Sequence, residues 1–123
     1  MGGPLEVINP NAEILLMASG TAAAQARVAM EMAQEEGLDV GLVKLKVIRP
    51  FPAVEIARLA EKAKMIMVPE FNIVGWLSKE IKSVVNNNSK VFSGPNVFAG
   101  MTLPPEVIVA EMKKLAKLTG VRR

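Results

Sequence analysis

The stretch over residues 40–52, VGLVKLKVIRPFP, constrains this chain more than any other. A run rich in β-branched residues drives into Arg49-Pro50-Phe51-Pro52, and a helix-like segment starts directly after it. Pro50 and Pro52 each lack a ladder donor and fix φ, so a strand cannot continue through them. Proline is well tolerated in a first helical turn. The chain therefore leaves a strand end by a stiff turn carrying one cation, Arg49, and one ring, Phe51. Strands that feed helices build largely parallel sheets, whose carboxyl ends are where α/β proteins place binding or docking surfaces.

The rest of the sequence follows the same alternation. Residues 5–8 are a short edge-strand candidate, closed by the turn signal Asn9-Pro10-Asn11. Residues 13–18, EILLMA, form a continuous apolar run, as in a strand buried on both faces. Ser19-Gly20-Thr21 leads into a helix pattern over 22–36, which Ser19 or Thr21 can cap and Gly37 can end. Its many alanines permit close packing on a sheet or another subunit. Over 40–48, Lys44 and Lys46 alternate with Val43, Leu45 and Val47, so one strand face is expected to be only partly covered. A helix over 53–64 places Val54, Ile56, Ala57, Leu59, Ala60 and Ala63 inward. A strand over 65–68 is expected to end at Pro69, leaving Glu70, Phe71 and Asn72 at its tip. A helix over about residues 74–85, an Asn-rich loop, and a weak strand at Val91-Phe92 follow. Residues 93–103 read as an irregular apolar loop exposing Val97, Phe98, Met101 and Leu103. A last helix over 104–118, which Thr102 can cap, carries Ile108, Met112 and Leu115 on one stripe. The expected architecture is α/β, with helices on both faces of a largely parallel sheet.

Absences narrow the chemistry. The 123 residues contain no Cys, His or Tyr. Without thiolates the chain holds no iron–sulfur cluster or disulfide, and without imidazole as well it lacks the usual zinc ligands. Acid–base or nucleophilic work would fall to carboxylates, Lys or hydroxyls, so the chain alone is a poor candidate for a complete enzyme. Half the residues are hydrophobic and the net charge is +3. That suits one domain with a sizeable core. The basic cluster Lys113, Lys114, Lys117, Arg122 and Arg123 reads as a solvated terminal face; no aromatic platform accompanies it, so nucleic acid is not the expected partner. No signal peptide or membrane-spanning run is evident, so a cytoplasmic location is expected.

Three strand ends could carry function. Ser19-Gly20-Thr21 offers backbone N–H groups at a helix start, suited to an anion or a nucleotide phosphate in a regulatory module. It lacks the glycines of a dinucleotide fingerprint and the lysine of a P-loop, and a tight turn with a cap is the competing reading. Arg49 could pair with a carboxylate locally or on a partner, and Phe51 could fill a partner's pocket or cover its own sheet edge. Glu70, near Asn72 and Gly75, could orient a ligand, pair with Arg49 or cap a helix. Phe98 and Met101 belong to a loop that either folds back or forms an interface.

The ordered set EVINPNAEILLMASGTAAAQARVAMEMAQEEGLDVGLVKLKVIRPFP, MIMVPEFNIVGWLSKEI and Thr-Leu-Pro-Pro-Glu resembles the transketolase C-terminal domain. It is most similar to that domain in alpha chains of 2-oxoacid:ferredoxin oxidoreductases, through the Phe-Pro after Arg-Pro and through Glu70, Asn72 and Gly75. The resemblance implies a three-layer α/β/α domain around a mixed sheet of about five strands. It implies one domain over residues 1–123, either the C-terminal part of a longer alpha chain or a split subunit. It further implies a parent enzyme that oxidatively decarboxylates a 2-oxoacid with coenzyme A and passes electrons to ferredoxin. That enzyme uses thiamine diphosphate, Mg and iron–sulfur clusters, none of them bound by this chain. The implied partners are a thiamine-binding beta chain and a gamma chain, in an oligomer. No catalytic, cofactor-binding or metal residue is assigned here; Arg49, Phe51, Glu70, Asn72, Phe98 and Met101 are candidates for an interface or active-site edge.

Overall fold

The computed structural model of the chain describes residues 5–46, 52–70, 76–85, 88–96 and 103–119. The strands are β1 (Leu5–Ile8), β2 (Ile14–Ser19), β3 (Val40–Leu45), β4 (Met65–Glu70) and β5 (Val91–Asn96). The helices are α1 (Gly20–Glu35), α2 (Ala53–Ala60), α3 (Trp76–Val84) and α4 (Pro105–Thr119), with a 3-10 turn at Asn88–Lys90. The strands form one sheet in the order β1-β3-β2-β4-β5. β1 runs antiparallel to β3, and the other pairings are parallel.

This order dictates the three layers. From β2 the chain moves through α1 to β3 on one side, and from β3 it crosses back through α2 to β4 on the other. Right-handed crossovers in opposite directions must place their helices on opposite faces. α1 and α4 accordingly cover one face, packing Ala22, Ala26, Ala29, Ile108 and Met112 onto Ile14, Leu16, Leu42, Met65 and Met67. α2 and α3 lie over the other, with Ile56, Ala60, Leu77 and Ile81 against Leu15, Met17, Val43, Ile66 and Val68. The alternation within β2 and β4 thus feeds two apolar layers, and both strands are buried on both faces. Ala22, Ala26 and Ala29 of α1 pack directly onto the sheet, the first of the two uses expected of them.

α1 ends at a glycine-dependent cap. Gly37 has φ +92, its N–H donates to the Gln34 carbonyl at 3.0 Å, and the Leu38 N–H donates to Ala33 at 3.1 Å. This is the paired bonding of a Schellman motif. At the same amino end of the sheet, the exit from β1 crosses β3 so tightly that a Cβ on Gly41 would lie 2.2 Å from the Asn9 carbonyl oxygen. Asn9, at φ +54, secures that crossing by donating from Nδ2 to the Val40 carbonyl at 3.1 Å.

Four local expectations are corrected. β4 continues through Pro69 to Glu70, because the β4–β5 register shifts between Val68 and Glu70 and the irregularity accommodates a residue without an N–H. β5 extends to Asn96, so residues 93–96 belong to the sheet rather than to a loop. Leu103 is buried in the α1–α4 core instead of exposed. Val54 points to solvent at 68% exposure, while Ile56 and Ala60 alone in α2 are fully enclosed.

Candidate functional site

The parallel strands β2, β3, β4 and β5 bring Ser19, Leu45, Glu70 and Asn96 to one carboxyl edge. β2 and β4 pair only over Ile14–Leu16 with Met65–Met67. Each then keeps its outer neighbour to the end: Ser19 lies opposite Leu45, and Glu70 opposite Asn96. The two central strands therefore part toward the carboxyl edge at the point where the chain reverses its winding. Open α/β sheets place ligand crevices at such switch points.

On the β2 side, Ser19 occupies the N-cap position of α1 with extended backbone, but its side chain makes no capping hydrogen bond. Gly20 turns the chain into the helix at φ +59. A Cβ there would meet nothing within 4 Å. Glycine is thus required by the backbone angle rather than by crowding, and the turn opens to free space. The first turn of α1 contains no acidic residue, so no local carboxylate opposes an anion at this end of the helix dipole.

On the β4 side, Glu70 is buried at 6% exposure. Its Oε1 accepts the Leu77 N–H at 2.8 Å and its Oε2 accepts the Ser78 N–H at 3.2 Å. The carboxylate at the strand end therefore caps the first turn of α3, where the helix dipole favours negative charge. Reaching seven and eight residues forward, this cap is invisible to the usual short-range capping pattern.

Arg49, Phe51, Asn72, Phe98 and Met101 lie outside the described residues, as does the side chain of Thr21. Among the described residues no group of three or more acidic side chains converges to hold a metal ion, and no helix is long and apolar enough to cross a membrane. Sequence reasoning missed Lys90, whose Nζ donates to the carbonyls of Ala60 and Ala63 at 2.5 and 2.7 Å. Burial lowers its pKa from the usual 10.5, against the raising effect of Glu61. Only the three-dimensional path brings Lys90 to the end of α2; no local signal could have done so.

A doubly wound sheet with an antiparallel edge strand and helices on both faces defines an α/β domain of the transketolase C-terminal type. The same fold occurs in a split-gene transketolase solved as an inactive beta4 tetramer, which superposes at TM-score 0.72 over 88% of this chain and 39% of that one, at 20% identity. The 2-oxoglutarate:ferredoxin oxidoreductase from Magnetococcus marinus, solved with 2-oxoglutarate, coenzyme A and succinyl-CoA bound, superposes at TM-score 0.78. It is 27% identical and covers 89% of this chain and 19% of that one. Residues 12–114 match the family model of pyruvate:ferredoxin oxidoreductase core domain II, and the chain belongs to that family. The 2-oxoglutarate synthase subunit KorA of Archaeoglobus fulgidus is 30% identical over 95 residues, 77% of this chain and 26% of that protein. The pyruvate synthase subunit PorA of Pyrococcus furiosus is 40% identical over 63 residues, 51% of this chain and 16% of that protein. The chain thus spans about a quarter of the length of the first of these relatives.

Proposed function

We propose that this chain acts as a non-catalytic domain, C-terminal or split off as a subunit, of a cytoplasmic 2-oxoacid:ferredoxin oxidoreductase. In this reading its carboxyl edge borders the active site and helps hold the assembly together. The observation that carries it is the family match over residues 12–114, with relatives that are subunits of 2-oxoglutarate and pyruvate synthases. The substrate class is a 2-oxoacid, and the electrons pass to ferredoxin. The residues present do not fit an iron–sulfur cluster, and Glu70 is already engaged in the fold. The sequence has no Cys for a cluster, and the buried carboxylate at the switch point already accepts two backbone N–H groups. In this reading thiamine diphosphate, Mg and the clusters belong to the beta and gamma chains or to other domains. Arg49, Phe51, Asn72, Phe98 and Met101 are the proposed contacts toward those partners.

Reconstitution tests this. The chain alone should not reduce a viologen dye. Combined with the thiamine-binding chains, a 2-oxoacid and coenzyme A, it should restore dye reduction. Equal activity from a complex lacking this domain would end the proposal.

The open, left-handed Gly20 turn favours a second reading, an anion-binding regulatory site at Ser19, Gly20 and Thr21. Calorimetry with phosphate and nucleotides should then show micromolar binding that Thr21→Val weakens. Silence across that panel would remove this reading and leave the first intact.

A further inference from the structure

A groove of about 190 Å³ lies between α1 and the β1–β3 pair. Its floor is apolar, formed by Ile8, Leu42 and Ala23, and its rim carries Glu6, Arg27 and Lys44. The register explains this composition. Ile8 faces Leu42 and Glu6 faces Lys44 across the antiparallel ladder, so all four side chains share the α1 face of the sheet. This is the partly covered face that the alternating lysines of β3 anticipated.

The rim is electrostatically unfinished. Lys44 is partly buried, yet among the described residues its ammonium has neither an ion pair nor a hydrogen bond, despite lying opposite Glu6. Arg27 reaches only Glu31, at 3.9 Å, with both side chains more than half exposed. Such an exposed pair contributes little in water. Two cations thus stand beside an apolar floor, faced within the groove by one carboxylate.

We propose that this groove docks an acidic segment of the rest of the oxidoreductase. One aliphatic side chain would lie over Ile8, Leu42 and Ala23, and an adjacent Asp or Glu would pair with Lys44 and Arg27. The proposal rests on the assembly role argued above and adds the surface and the chemistry of the contact. Charge complementarity selects an acidic occupant. The chain covers 26% of the first relative's length, so a homologous assembly has much further protein to contact it. A second copy fits poorly, because a two-fold axis through the groove would set the same two cations against each other.

The experiment measures binding of the whole chain to the thiamine-binding chains of its oxidoreductase at low and moderate salt. The Arg27→Glu/Lys44→Glu double variant should bind on the order of tenfold more weakly or worse, and wild-type binding should weaken with salt. Glu31→Gln, which frees Arg27, should bind at least as well as wild type. Arg27→Gln/Lys44→Gln, checked by thermal melting, separates lost docking from lost folding and should also bind more weakly. Unchanged binding by both double variants, with dye reduction intact, overturns the groove proposal and spares the assembly role. Failure of the wild-type chain to bind overturns both. A wild-type dimer dispersed by the charge reversal assigns the groove to a second copy and likewise overturns the proposal.

Discussion

Lys90 shows how one side chain can close an element far from it in sequence. Its ammonium satisfies the Ala60 and Ala63 carbonyls, which helix α2 and the turn after it leave open. Lys90→Met should cost about 1–3 kcal/mol in urea unfolding, because it strands those acceptors in a partly buried place. The pH dependence has a definite sign. Burial lowers the folded pKa below 10.5, so the folded chain gives up this proton before the unfolded chain does. The Lys90 contribution should therefore rise as pH climbs through the folded value toward 10.5, and the neutral amine still has two N–H donors for the two carbonyls. Measured as the gap between wild type and Lys90→Met, a contribution that shrank with pH would contradict this. Two glycines make a second residue-scale contrast. Gly20→Ala meets open space and should cost only about 1–2 kcal/mol for the left-handed angle. Gly41→Ala drives a Cβ into the Asn9 and Ile8 carbonyls and should cost more, about 3 kcal/mol, unless the chain shifts. Equal stabilities of the two variants would refute the assigned causes. The angle at Gly20 and the crossing at Gly41 are both absent from the sequence pattern, which marks the residues without saying why glycine is needed.

At the scale of elements, helix α2 separates pattern from packing. The expected inward set counts Val54 with Ile56, but at about 100° per residue the two lie on opposite sides of the helix, so the face that encloses Ile56 and Ala60 leaves Val54 at 68% exposure. Ile56→Ala should cost about 2–5 kcal/mol, and Val54→Lys should stay within about 0.5 kcal/mol. Comparable losses in denaturant titration would show that α2 packs by a different face. The elements written in continuous apolar runs or regular helical stripes were legible: β2, β3, α1, and the Ile108, Met112 and Leu115 stripe of α4. β4 and β5 were read too short for one shared reason. Pro69, Gly94 and Pro95 are strand breakers in local terms, yet parallel pairing with a bulge carries both strands on to Glu70 and Asn96. Cross-strand pairing overrides local propensity here, at a bulge in β4 and on the edge strand β5.

At the scale of the molecule, the parallel strands β2 and β4 bring Ser19, Gly20 and Glu70 to one carboxyl edge of the sheet, where the winding reverses. If this domain works within an oxidoreductase, the partners must bind its folded form in preference to its unfolded form. Its melting should then shift upward on assembly, by about 2.7 kcal/mol of added stability when partner is in hundredfold excess over Kd. An unmoved transition at saturating partner would count against the assembly role. The sequence alone determined the alternation of strands and helices, the exclusion of thiolate and imidazole chemistry, and the family pattern running through Ser19-Gly20-Thr21, Arg-Pro-Phe-Pro and Glu70. Those depend on residue identity and short spacing, which a linear pattern carries in full. Only the tertiary structure decided that Glu70 caps α3, that Lys90 closes α2, and that Lys44 and Arg27 flank an open groove. Each joins groups on different elements, and only the folded path sets the distance between them.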